Sequence, residues 1–521
     1  MGGSSSRNRS APVREHRGIY RRYSRNGSSK WQATFDDKDG KAICPSLMEL
    51  CTYKICQQVH QYDTFSMLPG DISQLIFDES VYSRRLTWNN LEAFRGCVLH
   101  DIDLGEYPGV DDSWMEAIFS HGSTLLSADL SGSNVTDCGL VHIKKCVNVE
   151  ALNLNFCDQI SDVGLDHIKG LLNLTTLSLK RNKNITAEGM SALSGLVNLL
   201  NLDLERCTSI YGGLVHLRCL SKLQALNLNC CNCITDADME PLSELTNLKE
   251  LQLSSTKVTD HGVVFLKGLH KLALLNMELC CVTAACLDSL SGLINLESLN
   301  LDSCIIRDNG LVHLAGLHRL KCLELSDTLV GSNGLRHLSG LVNLESLNLS
   351  FTAITDGGLK HLCGLSTLKS LNLDVRQITD TGLEALTSLT GLTHLDLFCA
   401  HITEAGTIHL RNFKNLQSLE ICGGGLTDAG VANIKDLRSL MLLNLSQNYC
   451  LTDASLELIA GLTQLVSLNL SDSRVTSAGL QHLKPLKKLK SLSLESTEVT
   501  ANDIKSLQEN DLPNLVTFRP E

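Results

Sequence analysis

Residues 341–365 read LVNLESLNLSFTAITDGGLKHLCGL, and this unit recurs about every 24 residues from Ala151 to the end of the chain. It follows the pattern L-x-x-L-x-L-x-x-[T/C/N]-x-[I/V]-T-D-x-G-L-x-x-L-x-x-L. In this copy the pattern falls on Leu344, Leu347, Leu349, Thr352, Ile354, Thr355, Asp356, Gly358, Leu359, Leu362 and Leu365. A fixed period of this size predicts an array of stacked structural repeats.

The first leucine of the L-x-L core can be followed through the array at steps of 24 or 25 residues. The matches are Leu152, Leu177, Leu202, Leu226, Leu251, Leu275, Leu299, Leu323, Leu347, Leu371, Leu395, Leu419, Leu443, Leu468 and Leu492. Ile102 and Ala128 before this series, and Val516 after it, resemble the modified terminal units of a stack. The pattern is that of a leucine-rich repeat, so we assign 101–521 to one leucine-rich-repeat domain of roughly 16 to 18 repeats.

Each unit is expected to contain a strand, a turn and a short helix. In L-x-L the leucines point to one side and the intervening residue to the other, because side chains alternate along a strand. The Thr or Asp of T-D-x-G-L can cap a helix, and leucines three apart give that helix one apolar side. We therefore predict an α/β solenoid, a horseshoe with a concave parallel sheet and outer helices. Some sixteen strands would form a sheet about 75 Å long, a size suited to macromolecules.

Length and composition agree with one stacked domain behind an N-terminal extension. A globular core stops growing at roughly 300 residues, but a one-dimensional stack escapes that limit in a chain of 521 residues. The chain has no long apolar run, and its first residues are rich in arginine. We therefore expect neither a transmembrane helix nor a secretory signal, and a cytoplasmic protein, with the nucleus as a further compartment. Its 21 cysteines should then stay mostly reduced.

Cysteine and histidine are explained by their places in the repeat. Five cysteines occupy the [T/C/N] position, where we expect a small buried side chain: Cys157, Cys207, Cys231, Cys280 and Cys304. Histidine recurs in register before a helix leucine at His142, His167, His216, His313, His337, His361, His409 and His482, which indicates the convex surface. The cluster Cys230, Cys231 and Cys233 has no second C-x-x-C, so we predict no metal and no cofactor. No phosphate loop or catalytic constellation is evident, so we predict no enzyme activity.

Residues 1–43 form a basic tail that we predict to be disordered. Residues 1–30 carry eight basic side chains (Arg7, Arg9, Arg14, Arg17, Arg21, Arg22, Arg25 and Lys30) and one acid, Glu15, a net charge of +7. The N-terminus MGGSSSR matches M-G-x-x-x-[ST], so Gly2 is a candidate for myristoylation. An acyl chain beside a basic tail would hold the protein at the inner face of the plasma membrane. The acidic remainder of the chain argues against a nucleic-acid partner.

Residues 44–100 do not follow the repeat pattern and are expected to form a small helical segment. Leu47, Leu50, Cys51, Ile55 and Val59 lie near helical spacing. The pattern S-L-x-x-x-C-x-x-x-I, with Leu47, Cys51 and Ile55, resembles the box through which substrate receptors of cullin ligases bind Elongin C. The following LPGDISQLIF resembles both a cullin box and the start of an F-box, which binds Skp1. Its candidate adaptor-binding residues are Leu68, Pro69, Ile72 and Ile76.

The two adaptors remain alternatives. The F-box interpretation is favoured by Leu86, Leu91, Phe94 and Cys97, but AFRGC stands where the family usually has V-C-x-x-W. The Elongin interpretation is favoured by two boxes placed before leucine-rich repeats, which is similar to Zyg-11/Zer-1-type receptors. Those receptors also carry armadillo-like repeats, which are not present in this sequence. A third interpretation is that 44–100 only caps the solenoid.

Over nearly its full length the chain resembles plant leucine-rich-repeat proteins related to F-box/LRR proteins, with cysteine-containing repeats of the ITDxGL kind. The resemblance implies a monomeric substrate-recognition subunit of a cullin-RING ubiquitin ligase, acting in ubiquitin-dependent protein degradation. The concave sheet would bind the protein substrate, and Skp1 or Elongin C would bind 44–100. The alternative is a non-catalytic interaction scaffold, tethered to a membrane or not, with no link to a ligase.

Three neighbouring repeats differ from the others on the face expected to be concave. Most units place Ser, Asn, Asp or Glu there, whereas 374–425 contains Asp374, Arg376, His394, Asp396, Phe398, Glu420, Cys422 and the run Gly423, Gly424 and Gly425. An aromatic side chain can bury much area in a partner, and glycine permits close approach of backbone. We therefore predict that a partner binds here through Arg376, His394, Phe398 and Cys422. Drift of the repeat sequence is the alternative.

Overall fold

The computed structural model describes residues 46–423 and 425–519, with residues 518 and 519 described by their backbone alone. A single parallel sheet of 18 strands runs through this part of the chain. No helix among these residues combines the length and apolar character that crossing a membrane requires.

Every strand is three residues long and pairs in parallel with the next strand along the chain, so the sheet is an open ladder in sequence order. The core leucines of neighbouring units are in register, as in the pairing of Leu323 with Leu347 and of Leu347 with Leu371. The predicted horseshoe and the number of repeats are confirmed. The strands are β1 Asp101–Asp103, β2 Ser127–Asp129, β3 Ala151–Asn153, β4 Thr176–Ser178, β5 Asn201–Asp203, β6 Ala225–Asn227, β7 Glu250–Gln252, β8 Leu274–Asn276, β9 Ser298–Asn300, β10 Cys322–Glu324, β11 Ser346–Asn348, β12 Ser370–Asn372, β13 His394–Asp396, β14 Ser418–Glu420, β15 Leu442–Asn444, β16 Ser467–Asn469, β17 Ser491–Ser493 and β18 Thr517–Arg519.

Short helices follow the strands. The α-helices are α1 Leu47–Gln57, α2 Gly70–Tyr82, α3 Trp88–Leu91, α4 Asp112–Ile118, α5 Asp137–Leu140, α6 Asp162–Leu165, α7 Ala187–Met190, α8 Asp260–Val263, α9 Cys286–Leu290, α10 Asp356–Leu359, α11 Asp380–Ala385, α12 Glu404–Thr407, α13 Asp428–Val431, α14 Asp453–Ile459 and α15 Ala501–Asn510. Short 3₁₀ helices cover Val59–Gln61, Glu92–Phe94, Phe119–Thr124, Val141–Lys145, Asp166–Ile168, Ser191–Leu193, Gly213–Leu217, Asp236–Asp238, Glu240–Glu244, Val264–Leu266, Asp308–Leu314, Gly334–Leu338, Lys360–Leu362, Ile408–Asn412 and Ser477–Leu483. Segments this short often adopt the tighter 3₁₀ form, so the predicted outer helices are partly 3₁₀.

The T-D-x-G-L segment joins neighbouring units through a carboxylate. Its Thr, or Ser in one unit, is the residue that caps the helix, as Thr186 does for α7. The Asp that begins the helix instead accepts from the next unit: Asp162 accepts hydrogen bonds from the N–H of Thr186 at 2.7 Å and from its hydroxyl at 2.6 Å. The same pair of bonds joins Asp112 to Thr136, Asp137 to Ser161, Asp236 to Thr259, Asp260 to Thr283, Asp356 to Thr379, Asp380 to Thr403, Asp428 to Thr452 and Asp453 to Thr476. The motif is therefore a contact between repeats as well as a helix start.

The [T/C/N] position is a buried slot whose side chain holds the turn after the strand. Cys231 is fully buried, and its thiol donates to the carbonyl of Leu204 in the preceding unit at 3.0 Å. Asn182 occupies the same slot and donates to the carbonyl of Leu154 at 2.8 Å. The five predicted slot cysteines are all buried, and each donates to such a carbonyl. Their structural role is confirmed.

The two ends of the array show where the terminal units depart from the pattern. Ile102 and Ala128 are the buried centres of β1 and β2, as predicted. The prediction for Val516 is wrong: Leu492 pairs with Phe518, and Val516 is 76% exposed. The buried Leu515 takes the place of the leucine three residues before the core, so the core position falls on 518.

Residues 46–99 pack against the first strand and cover its free edge. The Gln74 side chain on α2 donates to the carbonyl of Asp101 at 2.6 Å and accepts from the N–H groups of His100 and Asp101 at 2.9 and 3.2 Å. The Tyr107 hydroxyl donates to the carbonyl of Leu86 at 2.8 Å. This segment therefore caps the solenoid, whatever else it binds, because it satisfies backbone groups that an edge strand leaves unpaired.

Candidate functional site

The helix α1 presents its apolar residues to solvent. Ser46 caps it in a capping box with Glu49, which fixes the start of the helix. The side chains that α1 buries are Thr52 and Cys56, and the Cys56 thiol donates to the carbonyl of Ile76 on α2. Leu47 is 77% exposed and Leu50 is 47% exposed. The apolar residues thus follow helical spacing, as predicted. Those in the first turns of α1 face solvent instead of covering the core.

The residues just before α2, and Leu75 within it, add further exposed apolar side chains. Met67 is 90% exposed, and Leu68, Pro69 and Leu75 are also exposed. We call Leu47, Met48, Leu50, Cys51, Met67, Leu68, Pro69 and Leu75 the N-terminal apolar surface, naming the exposed residues of the two helices together. Surface residues of this kind, when they are numerous on one small segment, indicate an interaction site.

The structure divides the seven predicted adaptor-binding residues into three groups. Leu47, Cys51, Leu68 and Pro69 are exposed, and Ile55 and Ile72 are partly buried against the core. The prediction that Ile76 contacts an adaptor is wrong, because its side chain is fully buried. The exposed residue at this point of α2 is the neighbouring Leu75. The positions of the apolar residues around the helix could have shown that Ile76 faces the core. Leu86, Leu91, Phe94 and Cys97 belong to the core of this segment, where Phe77 and Phe94 pack edge to face.

The second candidate surface begins with a break in the repeat at Val375. Arg376 stands at the slot position, and a buried arginine without a partner is too costly. Val375 fills the slot instead, 4% exposed, and Arg376 points to solvent. As a result, the N–H of Val375 bonds to the carbonyl of Leu373 at 2.7 Å, whereas the equivalent N–H of Phe351 bonds to Asp374 of the next unit at 3.0 Å. The turn therefore loses a contact between repeats at this point.

Three of the four predicted partner-binding residues reach this surface. His394 and Arg376 are exposed and Phe398 is half-buried, with its N–H bonded to Asp396 at 2.9 Å. The strands β12, β13 and β14 are adjacent, so these residues lie on neighbouring units. Cys422 is a wrong prediction: it is 1% exposed, and its thiol donates to the carbonyl of Asn444. Burial raises the pKa of this thiol to about 12.

Two carboxyl groups on the concave side have raised pKa values, which the sequence pattern did not predict. The pKa of Asp302 is raised to about 7 by burial, and next by the charge of Glu324, while Glu278 and Asp327 add to the effect. Asp396 has a pKa raised to about 7 as well, by burial and then by Glu420. The concave centre is thus electronegative. The available sequence signal is the run of acidic residues that flank or follow the core leucines of neighbouring units.

The raised pKa values of Asp302 and Asp396 predict that the protein loses stability as the pH rises. Their folded pKa of about 7 exceeds the ordinary value, so between about pH 4 and 7 the folded state holds protons that the unfolded chain has released. Stability from these groups is full at pH 4 and falls until about pH 7. We expect D302N and D396N each to stabilise the protein by about 1 kcal/mol at pH 8, a value reduced for partial exposure, and to have little effect at pH 5. Urea unfolding followed by circular dichroism at both pH values measures this.

The asparagine retains the oxygen that accepts the N–H of Ser326 at position 302 and of Phe398 at position 396. The control is E384Q, a change on the exposed side of α11. Equal effects of D302N at pH 5 and pH 8 would contradict the assigned pKa.

Two of the cysteines that could have been metal ligands contact backbone carbonyls of the repeats instead. The thiols of Cys231 and Cys233 point to the carbonyls of Leu204 and Cys207. In the part of the chain that the structure describes, no three side chains of His, Cys, Asp or Glu come together as metal ligands would. The eight in-register histidines are all half-buried and lie in the helical segments. Gly2, the basic tail 1–43 and Gly424 lie outside the described residues.

Family comparisons identify the repeat. The signature of the leucine-rich repeat matches 414–475, and a second signature of the same repeat matches 145–168, 171–194, 219–243, 244–267 and 341–363. No curated protein matches the chain.

Among solved structures, a leucine-rich-repeat protein from Leptospira interrogans has a TM-score of 0.53 at 22% identity, over 72% of this chain and 91% of that chain. An internalin from Listeria monocytogenes has a TM-score of 0.29 at 19% identity, over 89% and 96%. A plant peptide hormone receptor in complex with RGF2 has a TM-score of 0.42 at 16% identity, over 83% and 79%. The first likeness supports the fold, and the other two scores are too low to argue from. The chain thus has the fold of a leucine-rich-repeat solenoid, and signatures of that repeat match six stretches of it.

Proposed function

We propose that this protein is the substrate-recognition subunit of a cullin-RING ubiquitin ligase. The observation that carries the proposal is the N-terminal apolar surface. Leu47 and Leu50 lie on the exposed side of a helix whose other side packs on α2 through Cys56. An adaptor such as Skp1 or Elongin C would cover these residues, in the way that a groove receives a helix with a few apolar anchors. The concave sheet would bind the protein to be degraded.

The substrate side of the proposal rests on the three repeats around Phe398. Arg376 and His394 are exposed beside the half-buried Phe398, and the backbone differs from that of the neighbouring units at Val375. Aromatic and arginine side chains are frequent anchors of protein interfaces. We place the substrate contact across 374–423, at the exposed Arg376 and His394 and the half-buried Phe398.

Affinity capture of the full chain from a lysate of its natural host tests the adaptor. We expect Skp1 with a cullin, or Elongin C with a cullin, among the bound proteins. Two variants separate the adaptors: L47E/L50E changes α1, and L68E/L75E changes α2. Loss of binding through α1 alone supports Elongin C, because the first box lies there. Loss through α2 alone supports Skp1.

The control is V163E/L172E, which adds two charges at exposed apolar positions of the repeat array, 61% and 55% exposed. It should retain all partners. If neither adaptor is recovered with the unchanged protein, or if both N-terminal variants retain the adaptor, the ligase proposal fails.

A second candidate function is an interaction scaffold without a ligase. The hydrogen bonds of Gln74 to Asp101 and His100 favour it, because they give 46–99 a sufficient structural role as the cap of β1. In this version the chain is cytoplasmic and held at the inner face of the plasma membrane through Gly2. The mass of the mature N-terminus tests acylation: a myristoyl group adds about 210 Da, from its chain of fourteen carbons.

A further inference from the structure

The concave face of β8–β11 carries an acidic row bordered by an exposed apolar row. The acids are Glu278, Asp302, Glu324 and Asp327, which lie on or just after the strands β8, β9 and β10, paired neighbours in the sheet. The apolar residues lie at the turns that follow the same strands. They are Leu279 and Phe351, which occupy the same place in their repeats and are 54% and 61% exposed. We call these six residues the central concave face.

The two rows are adjacent because the turns are bonded across the repeats. The N–H of Leu279 bonds to the carbonyl of Asp302 at 2.9 Å, and the N–H of Asp327 bonds to the carbonyl of Ser350, next to Phe351, at 2.9 Å. A ligand for this surface must therefore offer positive charge and apolar area together.

We propose that the central concave face binds the N-terminal arm of the same chain, residues 12–30. This segment reads PVREHRGIYRRYSRNGSSK, in which arginines alternate with Ile19, Tyr20 and Tyr23. Its six basic residues and one acid give a net charge of +5. Arginine and tyrosine match the two rows, since arginine pairs with carboxylates and tyrosine buries a large apolar ring.

The arm is long enough to reach this face. From β1 to β10 the sheet advances by nine strand spacings, about 43 Å. The 23 residues between Arg22 and Ser46 span about 80 Å when extended. A tethered segment acts at an effective concentration in the millimolar range, so even a weak contact is mostly occupied. The arm would then occupy the face until a partner displaces it.

A labelled peptide with the sequence of residues 12–30 tests this on full-length protein. Fluorescence anisotropy compares its binding to the unchanged chain and to R17E/R21E/R22E, which lowers the charge of residues 1–30 from +7 to +1. We expect the peptide to bind the variant at least about tenfold more tightly, because the arm no longer competes for the face. Equal affinity for the two chains, or no binding to either, overturns the proposal.

A second set of variants locates the peptide. D302N/E324Q/D327N, added to R17E/R21E/R22E, should weaken binding at least about tenfold, because it removes three charges from the acidic row. The matched control E188Q/E384Q/E457Q removes three exposed charges from α7, α11 and α14 and should leave binding unchanged. Equal loss in both sets would assign the effect to general charge and refute the site.

Sedimentation of the unchanged protein excludes a second copy as the occupant. We expect a monomer at micromolar concentration, since the arm binds its own chain. A dimer that is lost in R17E/R21E/R22E would show that the arm binds a second molecule and would overturn the intramolecular version. These outcomes do not depend on an adaptor, so a failure here and a failure of the ligase proposal are distinguishable.

Discussion

Replacing Gly189 with alanine is expected to destabilise the protein by about 2–4 kcal/mol. The added methyl group would lie 2.8 Å from the carboxyl carbon of Asp162 and 3.1 Å from its Cα. Asp162 cannot retreat without stretching its bonds to the N–H and hydroxyl of Thr186. The glycine of T-D-x-G-L is thus required by the approach of the preceding unit rather than by its own backbone angles.

The control for this prediction lies in the same repeat. At Gly195 an added methyl group meets nothing closer than a carbonyl at 4.0 Å, and its backbone is not left-handed. We expect G195A to be neutral or stabilising by about 0.5 kcal/mol, through the lower entropy of the unfolded chain. Urea unfolding of the two variants measures the difference. Comparable stability of G189A and G195A would show that the units separate freely at this point.

Replacing Asn448 with alanine is expected to cost about 3–5 kcal/mol, because three backbone groups lose their partners. Asn448 is 1% exposed. Its amide donates to the carbonyls of Ile421 at 2.8 Å and Leu445 at 2.9 Å, and its oxygen accepts the N–H of Leu426 at 3.1 Å. The last bond holds the chain that follows the glycine run to the next repeat.

Two comparisons test the origin of this cost. N448C should retain part of the stability, since cysteine in this slot donates to the equivalent carbonyl in five other units. N182A should cost less than N448A, because the side-chain oxygen of Asn182 has no hydrogen-bond partner among the described residues. Urea unfolding of the three variants supplies the values. If N182A proves as costly as N448A, the bond to Leu426 contributes nothing measurable.

The architecture was predictable because one short pattern is repeated with little change. The leucines of L-x-L specify the strand, and a fixed period specifies its neighbours, so the order of the sheet follows directly. The slot cysteines were predictable for the same reason. The last strand was misplaced by two residues, since the residue that pairs with Leu492 is Phe518 and not a leucine.

The functional surfaces were less predictable, because exposure depends on which side of an element faces the core. The resemblance to adaptor-binding boxes grouped Leu47 and Ile76 among the anchors of a partner, although one is exposed and the other is buried. Cys422 was misassigned in the same way, since strand alternation alone does not show how a turn folds over it. The break at Val375 could have been predicted from Arg376, because no unit can bury an unpaired arginine in its slot.

The sequential pairing of the strands makes the number of repeats a measure of distance. Each unit touches its two neighbours, so a unit added or removed leaves the others intact and shifts all later units by one strand spacing, about 4.8 Å. Twelve such steps separate β1, which the helices α1 and α2 cap, from β13, which carries His394. The number of repeats between them thus sets the distance from the exposed residues of α1 and α2 to the surface around His394. Evolution can adjust that separation in whole units without redesigning either surface.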